Sequence, residues 1–107
     1  MKPDTTIIDE LVQRIIDSVH PQRIIIFGSA AREEMGPDSD IDVLVVMPDG
    51  IHRRKIAQTI YQRLWGLGFA KDILVVTESD VQGHAENPYM VIKQALEEGK
   101  EVYRAVG

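Results

Sequence analysis

The sequence predicts an α/β domain (α+β in some schemes), a small β-sheet with helices packed on it. Two observations predict it. Three short runs rich in β-branched residues, "RIIIF", "IDVLVVM" and "KDILVVT", have the length and composition of buried strands. Between and around them lie segments whose apolar residues recur at helical spacing, so strands alternate with helices. Alternation alone leaves the strand directions open.

The elements follow in order. "TTIIDELVQRIIDSVHP" carries apolar residues at Ile7, Ile8, Leu11, Val12, Ile15, Ile16 and Val19, the stripe of an amphipathic helix. Thr6 and Asp9 resemble a capping box at its start. Pro21 disfavours helical geometry at His20 and ends it. "RIIIFG" then reads as a strand, "SAAREEM" as a short helix and "GPDSD" as a loop. "IDVLVVM" is the second strand, stopped by "PDG". From Ile51 to Trp65 the spacing is helical, with Ile56, Ile60 and Leu64 on one face; Gly66 and Gly68 break it. "KDILVVT" is the third strand and "ESDVQGHAEN" a turn or short helix. "PYMVIKQALEEG" is a helix with Pro88 at its start and Gly99 at its end. "KEVYRA" closes as a short strand or extended tail.

A chain of 107 residues is expected to form one domain, residues 1–107. The net charge of −5 gives no general attraction to nucleic-acid phosphates, so direct nucleic-acid binding is not expected. The absence of cysteine excludes disulfides and thiolate metal sites. No stretch reads as a signal peptide or approaches the ~20 apolar residues of a membrane span. A cytoplasmic protein with no membrane partner is the expectation.

The chemistry concentrates between the first two strands. Asp38, Asp40 and Asp42 crowd the entrance to a buried run. In a strand, residues i and i+2 share a face, so Asp40 and Asp42 project together with Cα atoms roughly 6–7 Å apart. Two carboxylates at that spacing repel unless a cation lies between them. Mg²⁺ suits them, since it takes oxygen ligands and often uses one or two carboxylates plus substrate phosphates. An Asp-x-Asp alone is more often a solvated loop. A third acid, Asp72 in "KDILVV", stands at the entrance to a similar run. If the two strands are neighbours, three carboxylates converge at one sheet end, as a two-metal phosphoryl-transfer site requires. Gly28-Ser29 follows the first strand at the start of a predicted helix. Such a turn offers amides and a hydroxyl to a phosphate.

Competing motifs fail. Val43 stands where an EF-hand loop needs glycine, no Gly-Lys-Ser/Thr follows Gly28, and "GLGFAK" lacks dinucleotide-binding spacing. His52 and His84 have no companions at metal-ligand spacing. Arg53, Arg54, Lys55 and Arg63 form a basic cluster that reads first as a solvated helix face. Tyr61, Trp65 and Phe69 read as core or partner contacts. Arg32 reads as a phosphate contact or an ion pair with a nearby acid.

Gly28-Ser29, ten residues, then Asp40-Ile41-Asp42 resembles the signature of the nucleotidyltransferase superfamily that includes DNA polymerase β. The strand before it and the later Asp72 fit as well. Within that superfamily the chain is similar to the minimal nucleotidyltransferases (MNT), close to antitoxins paired with HEPN-domain toxins. Glu33 departs from the pattern, standing where relatives often carry glycine.

The resemblance implies a small mixed β-sheet with helices packed on it, the polymerase β-like nucleotidyltransferase fold. It implies that Asp40 and Asp42 bind two Mg²⁺ ions. Asp72 would complete the metal site and help deprotonate the acceptor, and Gly28 and Ser29 would hold the triphosphate. The implied reaction moves a nucleotidyl group, AMP from ATP, to a hydroxyl of a helical HEPN-type ribonuclease toxin, making the chain a protein adenylyltransferase and antitoxin. Two alternatives stand beside it: a non-catalytic antitoxin acting by complex formation, and a transferase to a small molecule such as an aminoglycoside.

Overall fold

The computed structural model describes residues 5–28, 41–67, 71–84 and 90–105. Its elements run α1 (Thr5–Val19), β1 (Arg23–Phe27), β2 (Ile41–Met47), α2 (Arg53–Arg63), β3 (Lys71–Thr77), α3 (Glu78–His84), α4 (Met90–Glu98) and β4 (Lys100–Arg104). The helix expected over "SAAREEM" and the loop "GPDSD" lie outside the described residues.

The four strands form one mixed sheet in the order β3-β2-β1-β4. β1 runs antiparallel to both β2 and β4, whereas β2 and β3 are parallel. A parallel pair needs a long crossover, and α2 supplies it. Strand alternation divides the core into two layers. Ile24, Ile26, Ile41, Val43, Val45, Ile73 and Val75 pack with Leu11 and Ile15 of α1, Ile60 of α2 and Leu64 just beyond it. On the other face Ile25, Phe27, Leu44, Val46 and Val76 pack with Val81 of α3 and Ala95 of α4. Both faces are thus covered, which is why the strands read as continuous apolar runs.

Several ends are fixed by identifiable devices. His20 leaves the helix in a left-handed conformation at φ 52°, a common way to end a helix, and Pro21 follows it. α1 already includes Thr5, so Thr6 lies inside the helix and is not its cap. α2 is shorter than the spacing suggested. Its N-cap is His52, whose Nδ1 accepts from the Lys55 amide at 3.3 Å. Beyond Arg63 the chain turns through Gly66 at φ 89°. At Gly99 an added Cβ would overlap the Ala95 carbonyl and meet the Ile25 side chain at 2.6 Å, so only glycine lets α4 close against β1 there. β3 is a sheet edge, and the amide of Ile73 donates to the Tyr61 hydroxyl of α2 at 3.0 Å.

Candidate active site at one end of the sheet

The parallel register of β2 and β3 sets Asp42 directly beside Asp72. Neighbouring strands lie about 4.8 Å apart, and paired residues point to the same face. Asp42 and Asp72 therefore project together, on the side of Leu44 and Val46, while Ile41 and Val43 sink into the opposite core layer. Asp42 is half-buried and Asp72 exposed. The Asp72 side chain has no hydrogen bond or ion pair among the described residues.

The end of β1 completes this corner. Phe27, its last paired residue, lies opposite Asp42. Gly28 then turns with φ 72°, a left-handed conformation that favours glycine. A Cβ added at Gly28 would overlap the Asp42 carboxylate. The backbone of the turn and this carboxylate are thus in close approach, and the absence of a side chain permits it.

Of the five residues singled out from the sequence, the structure brings Gly28, Asp42 and Asp72 together at one sheet end. Ser29 and Asp40 lie outside the described residues. Among the described residues no three His, Asp or Glu side chains gather as a metal cage. The described donor set is two carboxylates in register, which suits a hard oxygen-seeking cation of the Mg²⁺ kind and no thiophilic metal.

At the opposite end of the same strands the acids do different work, which the sequence reading missed. Thr77 and Asp80 cap α3 reciprocally: the Thr77 amide donates to Asp80 Oδ2 at 2.9 Å, and the Asp80 amide donates to Thr77 Oγ1 at 3.1 Å. Arg53 of α2 holds Asp80 through two bonds, of 2.8 and 2.7 Å. Burial pushes the Asp80 carboxyl up, but the Thr77 amide, the Arg53 guanidinium and the Thr77 hydroxyl outweigh it and hold it below the usual value. Asp49, in the loop after β2, accepts from the hydroxyl and the amide of Ser79, and these two bonds lower its pKa. Arg23 lies nearby between Glu78 and Glu101, at 3.4 and 3.9 Å. The Thr77-x-x-Asp80 spacing was a visible signal for the cap.

A mixed sheet covered on both faces, with carboxylates in register where β2 and β3 begin beside a glycine turn, is the architecture of a phosphoryl-group-handling α/β domain. Residues 6–102 match the family model for the nucleotidyltransferase domain, and the chain belongs to that family.

Solved structures share the fold at low sequence identity. A toxin–antitoxin structure with AMP-PNP superposes with a TM-score of 0.61 at 20% identity, covering 91% of this chain and 73% of that one. A candidate nucleotidyltransferase from Sulfolobus solfataricus gives 0.63 at 20% identity, covering 92% and 78%. A mutant MntA–HpeT toxin–antitoxin gives 0.56 at 19% identity, covering 96% and 75%. No curated protein matches the sequence at a significant level.

Proposed function

We propose that this chain is an MNT-type antitoxin: a Mg²⁺-dependent nucleotidyltransferase that moves AMP from ATP to a hydroxyl of a partner protein. The observation that carries the reading is the in-register pair Asp42 and Asp72 beside the Gly28 turn. The family match supports the reaction class. One structural neighbour is a toxin–antitoxin holding AMP-PNP, which supports an adenine nucleotide. Another is a toxin–antitoxin mutant with two aspartates, two positions apart, changed to glutamate; Asp40 and Asp42 have that spacing.

In this reading Asp40, Asp42 and Asp72 supply the oxygen ligands, and Gly28 and Ser29 hold the triphosphate. The bound cation supplies charge neutralisation and Lewis acidity at the phosphates. Asp72, the exposed carboxylate, stands where an acceptor can approach and takes the proton of its hydroxyl. The acceptor oxygen bonds to the α-phosphorus, the α–β anhydride bond breaks, and pyrophosphate leaves. The partner proposed is a helical HEPN-type toxin encoded beside this chain, in the cytoplasm. A nucleotide fixed near its active site would block RNA by bulk and charge.

The test incubates the chain with the product of the neighbouring gene, ATP and Mg²⁺, and weighs both by intact mass spectrometry. A gain of AMP units on the partner, absent with Asp40→Asn, is expected. Neutralisation of the partner without mass gain would replace this reading by one of binding alone.

A further inference from the structure

The motif left unabsorbed by the site is α2. Its sequence, "RRKIAQTIYQR", holds four cations and no acid in a chain of net charge −5. Arg53 is engaged by Asp80, but Arg54, Lys55 and Arg63 are exposed and form no ion pair among the described residues. At the far end of the helix stand Tyr61, 41% exposed, and Trp65, 85% exposed. Neither is core.

The backbone at Trp65 is anchored. Leu64 before it is fully buried. The Arg14 guanidinium of α1 donates to the Arg63 and Trp65 carbonyls at 3.1 and 3.4 Å, so the turn carrying the indole is tied to a second helix. Beside it a cleft of about 260 Å³ is lined by Arg14, Asp17, Ser18 and Arg63. Docking an indole on an anchored turn orders its side chain without having to order the backbone that carries it. Trp, Tyr and Arg are the residues that dominate binding energy at protein interfaces.

The location adds meaning. The Tyr61 hydroxyl accepts from the amide of Ile73, the residue after Asp72. The aromatic end of α2 thus adjoins the strand entrance that carries the candidate site.

We infer that the exposed face of α2, centred on Trp65, Tyr61 and Arg63, is the docking surface for the acceptor protein, and that the partner meets it with an acidic face and an apolar pocket for the indole. This rests on the proposed transfer to a protein. Charge complementarity selects the partner: the helix is basic on an acidic chain, so it steers a carboxylate-rich surface to this one side.

Trp65 is the sole tryptophan, so a fluorotryptophan-labelled chain gives one reporter resonance in fluorine NMR. The probe is the purified product of the neighbouring gene, titrated in parallel by calorimetry. Binding should shift the resonance, and Trp65→Ala should weaken affinity by about tenfold to a hundredfold, as loss of an interface anchor does. Arg63→Glu should weaken it too, with a reduced salt dependence, and neither change should alter ATP binding. In the transfer assay Trp65→Ala should raise KM for the partner and spare kcat. A complex that leaves the resonance unmoved and binds Trp65→Ala equally well overturns the docking surface alone. Absence of any complex at about 100 µM, weaker than a specific assembly requires, overturns both the surface and the partner reading. A resonance shifted by single-stranded RNA and not by the protein overturns the proposal in favour of a nucleic-acid surface.

Discussion

The two ends of the sheet use aspartate in opposite ways. Where β2 and β3 finish, Asp49 and Asp80 accept from amides and hydroxyls, and Arg53 holds Asp80 from another helix. Each carboxylate there secures an element to its neighbour. Where β2 and β3 begin, Asp42 and Asp72 stand side by side, and Asp72 has no partner among the described residues. Like charges in register oppose folding unless something else requires them. Acids consumed by capping explain themselves, whereas the acids in register are the ones to which the proposed function assigns a cation.

The largest expected effect breaks the second kind. Asp42→Asn preserves shape and removes charge, so AMP transfer should fall by about a thousandfold or more. Far-ultraviolet circular dichroism should be unchanged. Asp72→Asn should act mostly on kcat; an effect confined to triphosphate affinity would disprove its role as base. Next, Mg²⁺-ATP should relieve the repulsion. At a hundredfold excess over Kd, linkage gives about 2.7 kcal/mol. For a domain of this size that is a melting-temperature rise of about 10 °C or more. The rise should vanish in Asp42→Asn and persist in Asp80→Ala.

Gly28→Ala should show a smaller effect. It forces a left-handed φ on alanine and drives a methyl into the Asp42 carboxylate. Urea denaturation should register a loss of about 1–3 kcal/mol, with weakened triphosphate binding. Asp80→Ala should be mildest, costing about 1–2 kcal/mol through the lost cap. Its effect should depend on pH. Asp49 and Asp80 are both held below their ordinary 3.8, so the stability they confer is present above that value. It drains away as pH falls through the lower folded values. The gap between wild type and Asp80→Ala should therefore close in acid below about pH 4. A gap that persists there would show that contacts other than ionised Asp80 set it.

Much of this contrast was legible residue by residue. "IDVLVV" and "KDILVV" each carry an acid one position inside a β-branched run, so any parallel in-phase pairing puts Asp42 beside Asp72. The directions of the strands were not legible, because alternation of elements does not distinguish a crossover from a reversal. The Arg53–Asp80 and Asp49–Ser79 contacts span 27 and 30 residues and depend on how α2 and α3 meet the sheet. His52 as a cap escaped notice because histidine is not a usual N-cap. Trp65 escaped the core because the helix ends at Arg63. Its place in the following turn no longer obeys helical spacing, while Leu64 one residue earlier is still buried.

The strand order carries a consequence for how the molecule is made. β1, "RIIIF", is interior to the sheet only because β4 pairs along its second edge. During synthesis, β1 emerges more than seventy residues ahead of Lys100–Arg104. Until β4 leaves the ribosome, one side of a strongly apolar strand offers unpaired amides and carbonyls to any passing chain. The seating of α4 through Gly99 then delivers β4 to that edge across a single residue. The synthesis of Lys100–Arg104 therefore decides whether β1 is shielded or sticky. Stalled or prematurely terminated products should be the ones that need a chaperone.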